Sequence, residues 1–135
     1  MTDDAPFIAP FEIIGWEQSS YGEEGERNEL ARVTVTKVFT GDIEGESAAE
    51  LLMASNPVGA GYVASELFTG VIGGRAGSLV IQHGGLAEGD DGHSFGSIVP
   101  GSGTGALAGV RGEAIYANNE EGHTLTLTLR FVDEL

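Results

Sequence analysis

The side chains able to do acid–base or hydrogen-bond chemistry are few, and they are scattered along the chain. Glu66 lies in GYVASELFTG, on the same parity as Tyr62, Ala64 and Phe68, so an extended chain places one carboxylate on an aromatic-bearing face. Where that face lines an interior, desolvation is expected to raise the Glu66 pKa. That would suit it to general acid or base work, or to donating a hydrogen bond to an oxygenated ligand. His83 ends the next apolar run on the parity of Leu79 and Ile81, and His123 opens the terminal run on its apolar face. Arg75 falls in the turn joining the Glu66 and His83 segments. The candidate ligand-binding set is therefore Tyr62, Glu66, Phe68, Arg75, His83 and His123, with Glu66, His83 and His123 the candidates for catalysis. The competing reading is a buried network in which Glu66 pairs with Arg75 or a histidine and only fixes strand register.

Other motifs carry less. VPGSGTGALAGVRG is glycine-rich, but a phosphate loop needs a following helix and usually a lysine. Here an alternating run follows and no lysine is near, so strand bending and close backbone approach explain the glycines. GHSFG at residues 92–96 fits a nucleophile elbow only formally, because no helix follows Ser94. His83, His93 and His123 form no HxH or HExxH pair, and EGDDGH lacks the ligand spacing of a calcium loop. No metal and no cofactor is expected, although a barrel could bring His83 and His123 to one mouth.

The elements that must position these residues read as strands. HTLTLTLRFV alternates strictly, with His123, Leu125, Leu127, Leu129 and Phe131 on one face and threonines and Arg130 on the other. In ELARVTVTKVFTG, Val33, Val35 and Phe39 oppose Thr34, Thr36 and Thr40; Lys37 shares the apolar parity, so its stem is covered or it reaches a rim. Further strands are expected in FIAPFEIIGWEQ, where Pro10 limits early pairing, and in AGYVASELFTG and GSLVIQH, which flank a Gly70–Gly77 turn region. HSFGSIVPG, after an acidic loop, and TGALAGVRGEAIYA complete the set. ESAAELLMASN is open between strand and helix on its composition. Seven strands and an eighth by choice, at this spacing, predict an all-β antiparallel barrel or sandwich in one domain, 1–135. FTGDIEGES and FTGVIGGRAG look like one turn solution used twice. In YVASELF and GSLVIQH both faces carry apolar residues, so a partner subunit or a packed segment must cover the outer one, and a homo-oligomer is the expectation.

Composition sets the outer limits. The chain has 21 acidic and 6 basic residues, a net charge of −15, and Lys37 as its one lysine. Such a surface repels phosphate backbones and anionic membranes, which argues against both as partners. The acidity serves solubility, or adaptation to high salt, in which case salt should raise the melting temperature. Cysteine is absent, which removes disulfides and thiolate metal sites. The acidic start MTDDAPFIAPFE lacks a basic leader, no long apolar run follows, and a cytoplasmic location is expected. Twenty-two glycines are about twice the usual share of about 7% and sit between and inside the apolar runs.

The ordered segments KVFTGDIEG, GYVASELFTGVIGGRAGSLVIQH, VPGSGTGALAGVRG and a histidine-led last strand resemble a family of small bacterial proteins of unknown function with an allene oxide cyclase-like barrel. The resemblance runs from about residue 16 to residue 131. GSGTGALAGVRG is also similar, over a shorter stretch, to a segment of plant allene oxide cyclases and dirigent proteins. The resemblance implies an eight-stranded antiparallel, calycin-like barrel with a central apolar cavity, assembled as a dimer or trimer, and it implies a strand for ESAAELLMASN. No plant cyclase catalytic residue matches one to one, so no role is carried over. Three functions follow as expectations: binding of a small apolar or amphipathic molecule in the barrel; an isomerase or cyclase using Glu66 and a histidine; or a structural or interaction protein whose barrel is filled.

Overall fold

A computed structural model describes residues 5–23 and 25–133. It is all-β: β1 (Phe7–Tyr21), β2 (Glu29–Phe39), β3 (Ile43–Ser55), β4 (Gly59–Ile72), β5 (Arg75–Glu88), β6 (Asp91–Ile98), β7 (Val110–Asn119) and β8 (Gly122–Phe131). Each strand pairs antiparallel with the next, and β1 returns to β8 to close the barrel. ESAAELLMASN is strand, the central part of β3. Its Ser47, Ala49 and Leu51 alternate with Glu46, Ala48 and Glu50, and the inward set is buried or half-buried. Ladder contacts on both sides override the helical propensity of its alanines and leucines.

Two boundaries differ from the sequence reading. The Gly70–Gly77 region is mostly ladder, with Gly70 opposite Gly77 and only Gly73 and Gly74 in the turn, both at positive φ. The expected acidic loop is likewise two strand ends joined through Gly89 and Asp90. Pro10 pairs with β8 opposite Thr124, and the β2 ladder starts one residue later, at Phe11.

The barrel is sealed at one end. Phe39, Ile43, Phe68, Ile72, Leu79, Leu127 and Leu129 pack there with Ala9, Ile98 and Val110 into one buried cluster. The glycine-rich segment, expected to bend strands, is instead the β6–β7 loop with a short 3₁₀ turn, Gly105–Leu107. It drives the fully buried Leu107 into the closed end. Thr104 is tied to β5, donating its amide to the Ser78 carbonyl and accepting the Ser78 amide on Oγ1. A Cβ on Gly77 would collide with the Thr104 carbonyl, so the plug approaches only because that residue is glycine.

The other end is open along two seams. Past Phe11, β1 leaves β8 and follows β2 alone, through an irregularity between Ile13 and Gly15. Between β6 and β7 the single register pair is Ser97 with Glu113. Trp16 lies opposite Val35 and so on the interior side, yet it is 49% exposed where Val35 is 2% exposed. Interior-facing surface at this end is therefore wet.

Candidate functional site

Where the sealed half meets the open half, the interior turns polar. Glu66 is completely buried at this level, and four donors converge on its carboxylate. Oε1 accepts from Lys37 Nζ at 2.9 Å, His83 Nε2 at 2.8 Å and the Tyr116 hydroxyl at 3.0 Å. Oε2 accepts from Ser47 Oγ at 2.5 Å. The inward parity of β2, β3, β4, β5 and β7 delivers one side chain each to the same depth of the barrel. The Lys37 ammonium also lies 4.8 Å from the Phe11 ring centroid and 4.7 Å from that of Tyr116. Among the described residues every buried side-chain nitrogen and oxygen has a hydrogen-bond partner.

The electrostatics correct the expectation of a raised Glu66 pKa. Burial does push it upward. The hydrogen bond from His83, the charge of Lys37 and the bonds from Ser47 and Lys37 outweigh that and hold it down at about 2. Glu66 is therefore held as an anion that accepts from all four donors. Burial, the Glu66 charge and the bond to Glu66 raise the Tyr116 pKa, so its phenol keeps its proton. The Tyr62 pKa is raised as well, by burial and then by the Glu66 charge.

An ionised carboxylate only accepts, so His83 Nε2 must carry the hydrogen it shares with Glu66. With the imidazole neutral, Nδ1 is an acceptor, and the Tyr62 hydroxyl, 3.0 Å away, donates to it. The chain of donation runs Tyr62 to His83 to Glu66. The His83 ring stacks on Tyr116, centroids 4.1 Å apart, which fixes the imidazole plane. Tyr62 and Tyr116 are half-buried and both line a cavity of about 700 Å³ at the open end, with Met53, Ala60, Ser94 and Asn118.

The chain's relatives can now be placed beside this arrangement. A family model described as a protein of unknown function, DUF3224, matches residues 7–131. The chain belongs to the DUF3224 family. A crystal structure of a DUF3224 protein of unknown function from Shewanella oneidensis MR-1 is similar to it, with 27% sequence identity and a TM-score of 0.83. The match covers 96% of this chain and 98% of that one. No curated protein matches the sequence.

Within this DUF3224 barrel the expected site residues separate. Tyr62, Glu66 and His83 come together as one hydrogen-bonded unit. Arg75 does not join them; it is the first residue of β5 and not in the turn as expected, paired with Ile72 at the sealed end, with its guanidinium 4.0 Å from the Phe131 ring centroid. Phe68 belongs to the closed-end core, edge-on to Phe39, and does not line the mouth. His123 stacks on Phe11 at 5.2 Å, whereas His83 bonds Glu66 and Tyr62, so the two do not share a site. No group of three or more metal-ligating side chains occurs among the described residues. Sequence reasoning missed three partners: Lys37, Ser47 and Tyr116. The signal for Lys37 was present, since the one lysine of the chain sat on an apolar parity.

Proposed function

We propose that this barrel binds a small apolar or amphipathic molecule at its open end, with the ligand's polar head turned toward Tyr62 and Tyr116. The observation that carries this reading is the change of filling along the barrel axis. Leucine, isoleucine and phenylalanine pack one half solid, while the other half holds a smaller buried cluster of Val33, Val35, Ala31 and Ala49 and a cavity of about 700 Å³ lined by two tyrosines of the polar network. Ligand pockets combine these features, mostly apolar walls with a few polar groups held by their own partners. Titration with the neutral dye Nile red tests it. Saturable binding is expected, lost in Ala60→Trp, which fills the mouth, and kept in Phe95→Ser, which alters only the outer wall. Binding that survives Ala60→Trp, or is lost with Phe95→Ser, overturns it.

A second reading is proton-transfer catalysis of isomerase type, and the Tyr62–His83–Glu66 chain is what favours it. A proton taken by the Tyr62 oxygen is matched by one passed to His83 Nδ1. Exchange of the α-hydrogens of 2-octanone into D₂O, followed by NMR, separates the two. Acceleration lost in Tyr62→Phe supports catalysis, and none at all leaves binding alone.

The outer wall supports a homo-oligomer. Leu52, Val63 and Phe95 lie in one cross-strand row, Leu86 is beside it, and all four are at least half exposed. The nearby charges, Arg32 and Glu50, neutralise each other at 3.2 Å. Two copies of a chain of charge −15 can therefore meet here without opposing carboxylates. Light scattering that gives the mass of one chain at micromolar concentration overturns this.

A further inference from the structure

We propose that the open end selects a ligand whose polar head donates a hydrogen bond and carries no negative charge, an alcohol or an amine in preference to a carboxylate. The proposal rests on the binding reading above and follows from the direction of the hydrogen bonds. Glu66, held as an anion, is an acceptor at the centre of the network, and every proton around it points inward. Tyr116 spends its hydroxyl hydrogen on Glu66, and with the His83 tautomer that donates from Nε2 alone, Tyr62 spends its own on Nδ1. The two phenols lining the mouth cavity therefore offer only lone pairs to an occupant.

No lysine or arginine lines the cavity, and three of them are held elsewhere. Lys37 is the one lysine of the chain, and its ammonium lies against Glu66 and two aromatic rings. Arg75 is at the sealed end on Phe131, and Arg32 is paired with Glu50. At the rim of the mouth, Arg27 lies in a depression with Glu88 and Asp91, and His93 lines both that depression and the cavity itself. Ser94 and Asn118, the other polar groups of the cavity wall, are uncharged. A carboxylate placed here gives up its hydration with no lysine or arginine in the cavity wall to replace it, which is costly. An alcohol or an ammonium group meets a phenol oxygen with a lone pair to spare, and the ammonium also gains from the overall charge of −15.

The test holds the chain constant and changes the head: calorimetric titration with 1-octanol, octylamine and octanoate at pH 8.5, in 0.1 M and in 1 M NaCl. High salt shortens the screening length to about 3 Å, so a preference that survives it is local to the site. The expected result is octanol and octylamine binding at least roughly tenfold tighter than octanoate at both salt concentrations. Tyr62→Phe is expected to weaken octanol by roughly three- to tenfold, the worth of one hydrogen bond, and to leave octanoate unchanged. Octanoate binding as tightly as octanol overturns the proposal while leaving the cavity reading intact. Binding by none of the three overturns both.

Discussion

The two ends of this barrel are built from the same alternating strands and end differently. At the sealed end the inward positions are large and apolar, and the glycine-rich loop adds Leu107 as a stopper. At the open end the buried cluster is smaller, Val33 and Val35 with Ala31 and Ala49, several inward positions such as Ala60 and Ser94 are small or polar, and the β1–β8 and β6–β7 seams lose their ladders. The network around Glu66 marks the border. An apolar core needs only volume, so it closes wherever large residues meet. A buried carboxylate needs several donors at fixed distances, and strands that supply them cannot also supply bulk. The open cavity lies directly above the level where five strands each spend an inward position on this network.

This contrast can be broken in several ways, largest effect first. Glu66→Leu strands the Lys37 ammonium and the donors on His83, Ser47 and Tyr116, and should cost about 3–5 kcal/mol in urea unfolding. Adding Lys37→Met should restore most of that loss. Failure of the double variant to recover would mean that the pair is not the unit described. At the other end, Leu107→Ala should cost about 3 kcal/mol by leaving a cavity in the closed end. Nile red affinity should not change, since the two halves are separate.

Acid sharpens the same border. The folded pKa of Glu66 is depressed to about 2 from an ordinary value of 4.5. Its contribution is therefore fully present above pH 4.5 and is lost as pH falls through about 2. Compared with the Lys37→Met/Glu66→Leu double variant, the native chain should lose about 3 kcal/mol of stability across that window. Parallel pH curves for the two proteins would contradict this. A smaller effect is expected from Gly77→Ala, which pushes the plug off β5 and should cost about 1–3 kcal/mol with the mouth still functional.

Much of the fold was legible because parity in a strand is a local property. HTLTLTLRFV and ELARVTVTKVF assigned their own faces, and Tyr62, Glu66 and Phe68 share the one parity expected of them, which faces inward. Depth along the barrel axis is different, because closure and stagger set it, and neither is written in any one segment. For that reason Phe68, two residues from Glu66, fell in the sealed core, and Arg75, close to both Glu66 and His83 in sequence, lay at the closed end. Tyr116 meets His83 from a strand two places away in the sheet, a contact no spacing reveals. Lys37 is the exception, since a charged residue on an apolar parity demands either water at a rim or a buried anion, and Glu66 is that anion.

The claim that the open half holds the ligand is tested most directly by methyl NMR during a titration with 1-octanol. Of the two methionines, Met53 lines the mouth; Ile72 is buried at the sealed end, and Ile115 is exposed on the outer wall. Saturable shifts are expected at Met53, with Ile72 and Ile115 unmoved. Shifts at Ile72 or at Ile115 with Met53 unmoved would place the ligand elsewhere and contradict that claim.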